Sequence, residues 1–158
     1  RDPEQLAWLE RALKASRARW RIIYGHHPLY SSGKRHGADL KLRAKLERIF
    51  VARVSPSAIV QPHVVFAGHD HIYERFRGQK GIAYFVCGSS GKLRRGNARP
   101  DQDLEAVNDR ERAFMLWEAT PEELRFRAIN ERGEAFDCGV VRLAGYVRAE
   151  ACAAATAP

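Results

Sequence analysis

The segment Val64-Val65-Phe66-Ala67-Gly68-His69-Asp70-His71 constrains this chain more than any other. A short apolar run rich in valine and closed by glycine reads as a buried strand that stops at Gly68. His69 and His71 follow at i and i+2. Extended backbone at that spacing points both imidazoles to one side. The carboxyl ends of buried strands are where open α/β sheets place their ligands. Neutral imidazole is the commonest protein ligand for zinc and related metals. A metal site is therefore expected just past this strand.

A second strand ends the same way. Trp20 to Tyr24 (WRIIY) runs into Gly25-His26-His27-Pro28, and His26–Gly33 has the Pro, Ser and Gly content of a loop. Each strand follows a helical pattern. Asp2-Pro3-Glu4-Gln5 is a helix start, with Leu6, Leu9 and Leu13 on one face. Residues 39–54 form the second helix, with Leu42, Leu46, Ile49 and Phe50 inward. Strands reached through helices run parallel and bring their C-terminal ends together. His26, His69 and His71 are expected to converge. His36 lies ten residues after His26, at the mouth of the same loop, placed to contact substrate or donate a proton. His63 starts the strand, at its wrong end, and is not expected to be a ligand.

The rest of the chain is less regular. Residues 55–62 carry two prolines and read as a connector. Residues 72–80 are polar with turn signals. Residues 82–87 (IAYFVC) are another buried strand. Residues 92–111 read as an irregular, mobile surface loop. An antiparallel meander follows over 113–120, 124–129 and 135–143. The order implies an α/β chain, half of a sandwich finished by an antiparallel edge. One domain is expected over 1–145, with an Ala-rich, disordered tail over 146–158.

Bulk properties narrow the classes. The 158 residues suffice for one core. No segment approaches the roughly 20 apolar residues of a membrane-spanning helix. Cys87, Cys138 and Cys152 are far apart and form no CxxC, so a zinc finger is disfavoured and at most one disulfide is possible. The net charge of +8 admits a competing reading, a non-catalytic basic α/β module that binds nucleic acid or phosphorylated ligands through Lys92–Arg99 (KLRRGNAR). Against it, no aromatics interleave with that cluster and Asp101, Asp103 and Glu105 follow at once. A closed structural zinc site is disfavoured because such sites are usually rich in cysteine.

The blocks Gly25-His26-His27-Pro28-Leu29-Tyr30-Ser31-Ser32-Gly33 and Gly68-His69-Asp70-His71-Ile72-Tyr73-Glu74-Arg75 resemble the last two signature blocks of the calcineurin-like metallophosphoesterases, most closely the purple acid phosphatase branch. Trp8-Leu9-Glu10, followed by Trp20, resembles the approach to the first block. The resemblance spans roughly residues 4–140. It implies the C-terminal half of a four-layer α/β/β/α sandwich. It also implies hydrolysis of phosphate esters, monoesters favoured, by a dinuclear site of divalent or trivalent ions (Fe, Zn or Mn). By position, His26 and His69 would bind the second metal, His71 the first, and His36 the phosphate. His27 would stand behind the ligands, Asp70 would not be one, and Tyr73, Glu74 and Arg75 would support the loop. Two cations about 3.5–4 Å apart activate a bound water and clamp phosphate oxygens.

The family's earlier blocks, with the bridging aspartate and the Asn-His pair, have no counterpart here: no GDxxD, GDxxY or GNH occurs. The chain begins Arg1-Asp2-Pro3 without methionine, and a processed terminus or a piece of a longer protein is expected. Alone, such a chain should be weakly active or inactive and should self-associate through an uncovered edge. A secreted or periplasmic location follows from the resemblance only.

Overall fold

A computed structural model describes residues 2–55, 58–59, 61–143 and 147–152. The elements in chain order are α1 (Pro3–Ala15), β1 (Ile22–Gly25), α2 (Leu40–Phe50), β2 (Arg53–Ser55), β3 (Ala58–Ile59), β4 (Val64–Ala67), β5 (Tyr73–Gln79), β6 (Ile82–Cys87), β7 (Leu104–Asn108), β8 (Ala113–Ala119), β9 (Glu123–Asn130), β10 (Ala135–Arg142) and β11 (Val147–Glu150). Both helices start as the sequence implies. The Asp2 carboxylate accepts from Glu4 N ahead of Pro3, and Asp39 Oδ1 accepts from Leu42 N. α2 stops at Phe50, four residues before the expected end.

A five-stranded sheet has the order β1-β4-β6-β5-β7, and a four-stranded sheet the order β11-β10-β9-β8. β1, β4 and β6 are parallel, while β5 and β7 are antiparallel additions. Alternation along the strands sorts the core into two layers. Val64, Tyr73, Ala83 and Phe85 meet Leu124, Phe126, Ala128 and Val141 of the second sheet. Val65, Phe76, Ile82 and Tyr84 face the opposite way, onto Leu13 of α1 and Phe50 of α2. The result is an α/β/β stack, three layers of the four that the resemblance implies. β1 is an edge strand, with Tyr24 85% and Ile22 46% exposed. Among the described residues, no helix is long and apolar enough to cross a membrane.

Four expectations are corrected. Residues 72–80, read as a polar stretch with turn signals, form a strand: β5 lies inside the sheet, and Tyr73, Glu74, Arg75 and Phe76 are all buried. Its charges are masked by partners. Arg75 donates to both carboxylate oxygens of Asp137 (Nε to Oδ2 2.8 Å, Nη2 to Oδ1 3.0 Å), and Tyr73 Oη donates to Asp137 Oδ2 at 2.7 Å. Residues 92–111 are not one irregular loop, because β7 pairs with β5 along the sheet edge. The connector over 55–62 carries the short β2–β3 pair. The stretch 146–158 is not wholly a disordered tail. β11 pairs with β10, and Cys152 is disulfide-bonded to Cys138 with Cα atoms 5.3 Å apart. Residues 153–158 lie outside the described residues. Cys87 remains a free thiol.

Candidate metal centre and phosphate site

The register of β1 and β4 builds the site. Gly25 pairs with Ala67, and Gly68 N donates to His26 O at 3.1 Å, so the two strand ends stop side by side. His26 Nε2 and His69 Nδ1 stand 3.0 Å apart. The ring of His36 packs 4.2 Å from that of His69, and His27 lies 4.5 Å from His69. His26, His27, His36 and His69 therefore form one cluster at the sheet's carboxyl end, while among the described residues no ring contact joins His71, which was expected to converge with His26 and His69, to it. His63 sits at the other end of β4, buried, with Nδ1 accepting from Arg21 N at 3.1 Å.

His69 adopts φ +63°, in the left-handed region that β-carbons disfavour. That turn throws its imidazole towards His26 and sends Asp70 inward. Asp70 is fully buried, and its carboxylate accepts from Ser31 Oγ (2.7 Å), Gly37 N (3.0 Å) and Asn97 Nδ2 (3.3 Å). Through Gly37 it fixes the loop that carries His36. A β-carbon on Gly33 would fall 2.3 Å from Asp70 Cγ, so glycine is required there for the carboxylate to approach.

Glu74 completes this support. It is fully buried, accepts from Ser32 N at 2.8 Å and from the Ser32 hydroxyl, and lies 2.8 Å from Ser31 Oγ. Ser31 Oγ has one proton, already faces Asp70, and accepts from Gly33 N at 3.0 Å. A second short contact to a carboxyl needs a proton on that carboxyl. Burial raises the Glu74 pKa, against the opposing hydrogen bonds of Ser32 and Ser31, and so favours the protonated form there.

Burial also lowers the pKa of His69, followed by the neighbouring His36, His27 and His26. For His71 burial again leads, followed by Lys92 and Arg94. Both shifts favour neutral imidazole, the form that binds metal. His71 Nδ1 is buried without a hydrogen-bond partner. The two imidazole nitrogens stand at hydrogen-bond distance, 3.0 Å, somewhat closer than the roughly 3.4 Å between two ligands of one tetrahedral cation. These features fit half of a metal centre. Among the described residues, no group of three or more His, Cys, Asp or Glu side chains stands arranged to hold a metal ion.

No family model matches the chain. Purple acid phosphatase 21 of Arabidopsis thaliana is 36% identical over 78 residues, which are 47% of this chain and 16% of that protein. The Fe(3+)-Zn(2+) purple acid phosphatase 12 of the same plant is 37% identical over 86 residues, 52% of this chain and 17% of the relative. The structure of purple acid phosphatase PPD1 from yellow lupin (Lupinus luteus) seeds superposes with a TM-score of 0.71 at 16% identity, covering 90% of this chain and 28% of that one. The chain is similar to purple acid phosphatases over about half of its own length. Its mixed α/β architecture matches the metallophosphoesterase fold. These relatives are named as acid phosphatases, and one of them is named for iron and zinc. The chain spans less than a fifth of the length of these two relatives.

The supporting polar network was not foreseen as a unit. Ser31, Ser32 and Asn97 carried no metal-binding signal, and Asn97 lay in the stretch read as irregular. The available hint was the Ser-Ser-Gly that closes the first histidine block.

Proposed function

We propose that this chain carries the histidine half of a dinuclear phosphate-ester hydrolase site. The observation that carries the reading is the convergence of His26 and His69, 3.0 Å apart, with His36 stacked beside them at the ends of two parallel strands. His26 and His69 hold one cation, His71 contributes to the second, and His36 contacts the phosphate. The metals, when bound, supply an activated water and neutralise phosphate charge. This chain's own residues do the rest. His69 is aimed by its left-handed backbone, and His36 is held through Gly37 by Asp70. Glu74 holds the Ser31–Ser32 loop, and Tyr73 and Arg75 tie β5 to Asp137 of β10. Phosphate monoesters are the favoured substrates. Residues 1–145 act as the C-terminal portion of the catalytic domain, and the carboxylate ligands come from outside the histidine cluster. The Cys138–Cys152 disulfide supports an oxidising, exported location.

The test is turnover of a chromogenic phosphate monoester by the isolated chain with added zinc, iron or manganese. Turnover no greater than with metal alone is expected. Robust turnover that His69→Ala abolishes would mean that this chain completes the site by itself, against the proposal that carboxylates come from elsewhere.

A further inference from the structure

We propose that Asn97 is a positioning residue for His36: its side-chain amide closes a ring of hydrogen bonds that couples the loop carrying His36 to the second histidine block. The consequence for phosphate rests on the phosphate-ester reading above, in which His36 contacts the phosphate.

The ring is continuous. Asn97 Oδ1 accepts from Arg35 N at 3.2 Å, and Asn97 Nδ2 donates to Asp70 Oδ1 at 3.3 Å. The other oxygen of Asp70 accepts from Gly37 N at 3.0 Å. His36 lies between Arg35 and Gly37, so its backbone is held on both sides. Asp70 lies between His69 and His71, so the same ring reaches the second block. The backbone around Asn97 adds to the hold. Lys34 N donates to Asn97 O at 2.7 Å, and Arg99 N donates to Ser32 O at 3.2 Å. Residues 96–99 thus lie along 32–35 as a strap, with an antiparallel bridge between Gly33 and Ala98. The strap has its own anchor: Asp109 Oδ2 accepts from Ala98 N at 3.0 Å, and Asp109 O accepts from Gly96 N at 3.3 Å.

The chemistry at this position calls for an amide. Asn97 is 5% exposed, so its two polar atoms depend on protein partners. One must accept from a backbone N–H, and the other must donate to a carboxylate. A carboxamide carries the two functions on separate atoms, whereas a carboxylate of the same shape only accepts. A carboxylate here would also stand against that of Asp70, like charge on like charge. The meeting of His26 with His69 has a different origin, the pairing of β1 with β4. Asn97 therefore acts on His36 and leaves His26 alone.

The test is proton NMR of the full metal-free chain, reading nuclear Overhauser contacts between imidazole rings. In the wild type, His69 should contact both His36 and His26, whose ring centroids lie 4.2 and 4.9 Å from its own. Asn97→Asp, which keeps the shape and removes the donor, should lose the His36 contact and keep the His26 contact. Asn97→Ser, which is smaller and adds no charge, should do the same, and it decides the matter where the added carboxylate unfolds the chain. A His36 contact that persists in both variants would overturn the proposal, because the loop is then held without the amide. Loss of both ring contacts in Asn97→Ser would overturn it too, because Asn97 then serves the fold and not His36. Absence of the His36 contact from the wild type would do the same. Calorimetry of orthophosphate binding to the zinc-loaded chain reads the consequence. Asn97→Ser should weaken orthophosphate by about fivefold, the scale of one hydrogen bond, and leave zinc affinity unchanged. Orthophosphate affinity indifferent to Asn97→Ser would overturn the coupling to phosphate. The ring contacts need neither metal nor phosphate, so the two readings fail separately: a wild type that binds no orthophosphate, with ring contacts that respond as expected, discards the phosphate-ester reading and keeps the positioning of His36.

Discussion

At the residue scale, His69 joins backbone strain to side-chain placement. Its φ of +63° is disfavoured for any residue with a β-carbon, at a cost of about 1–3 kcal/mol. Glycine would relieve the strain and remove the imidazole. His69→Gly should therefore be more stable than His69→Ala by about 1 kcal/mol in urea unfolding, while both lose the same metal affinity. Equal stabilities would mean that the left-handed turn is not held in solution. Glu74 makes a prediction about pH. Burial raises its folded pKa above the ordinary 4.5. The native state then holds a proton that the unfolded state releases. Its stability contribution is complete below 4.5 and is lost as pH rises towards the folded value. Glu74→Gln keeps an acceptor for Ser32 and a donor for Ser31 without the titration. The stability of wild type minus Glu74→Gln should decline with rising pH above 4.5, and a pH-independent difference would contradict the placement of the proton on Glu74.

At the scale of elements, β5 shows what the sequence does and does not display. β4, β6 and the meander β8–β10 were legible because their burial is written in apolar runs or in alternation such as LRFRAI. The two helices were legible from their caps and leucine spacing. β5 is just as buried, yet Tyr73-Glu74-Arg75 reads as surface. Its burial depends on Asp137, more than sixty residues away in sequence, and no local pattern encodes such a partner. β7 was hidden for a related reason, since its short strand follows a run of charges. The same limit applies to the site. That His26 and His69 meet, with His36 beside them, was legible from strand ends and spacing. The Ser31–Asp70–Glu74–Asn97 support was not, because it is assembled from separate loops. Arg75 tests this element directly. Arg75→Leu leaves Asp137 buried with one neutral donor, Tyr73, and should destabilise the chain by about 3–5 kcal/mol. Arg75→Leu with Asp137→Leu should recover much of that loss in the same unfolding measurement. A double variant no better than the single one would show that Arg75 acts other than through Asp137.

At the scale of the molecule, the stack is covered on one side by α1 and α2, and among the described residues β1 and β7 are the terminal strands of the five-stranded sheet. β1 presents an unpaired edge, and Tyr24 on it is 85% exposed. Open edges recruit further strands. The isolated chain should self-associate at micromolar concentration, and Tyr24→Lys should shift sedimentation towards monomer. A concentration-independent monomer for the wild type would show that this edge is protected. The same edge lies beside the histidine cluster, since β1 ends at Gly25 and His26 follows. Whatever pairs with β1 is therefore well placed to bring carboxylate ligands to the histidines.

The metal centre itself is tested most directly by zinc titration of the wild-type chain alongside His26→Ala and His69→Ala, followed by calorimetry. Zinc should bind with a stoichiometry near one, and each substitution should weaken it by at least tenfold, because each removes one of the two imidazoles that face each other across 3.0 Å. Zinc binding that is absent, or that ignores both substitutions, would contradict a metal centre at the ends of β1 and β4.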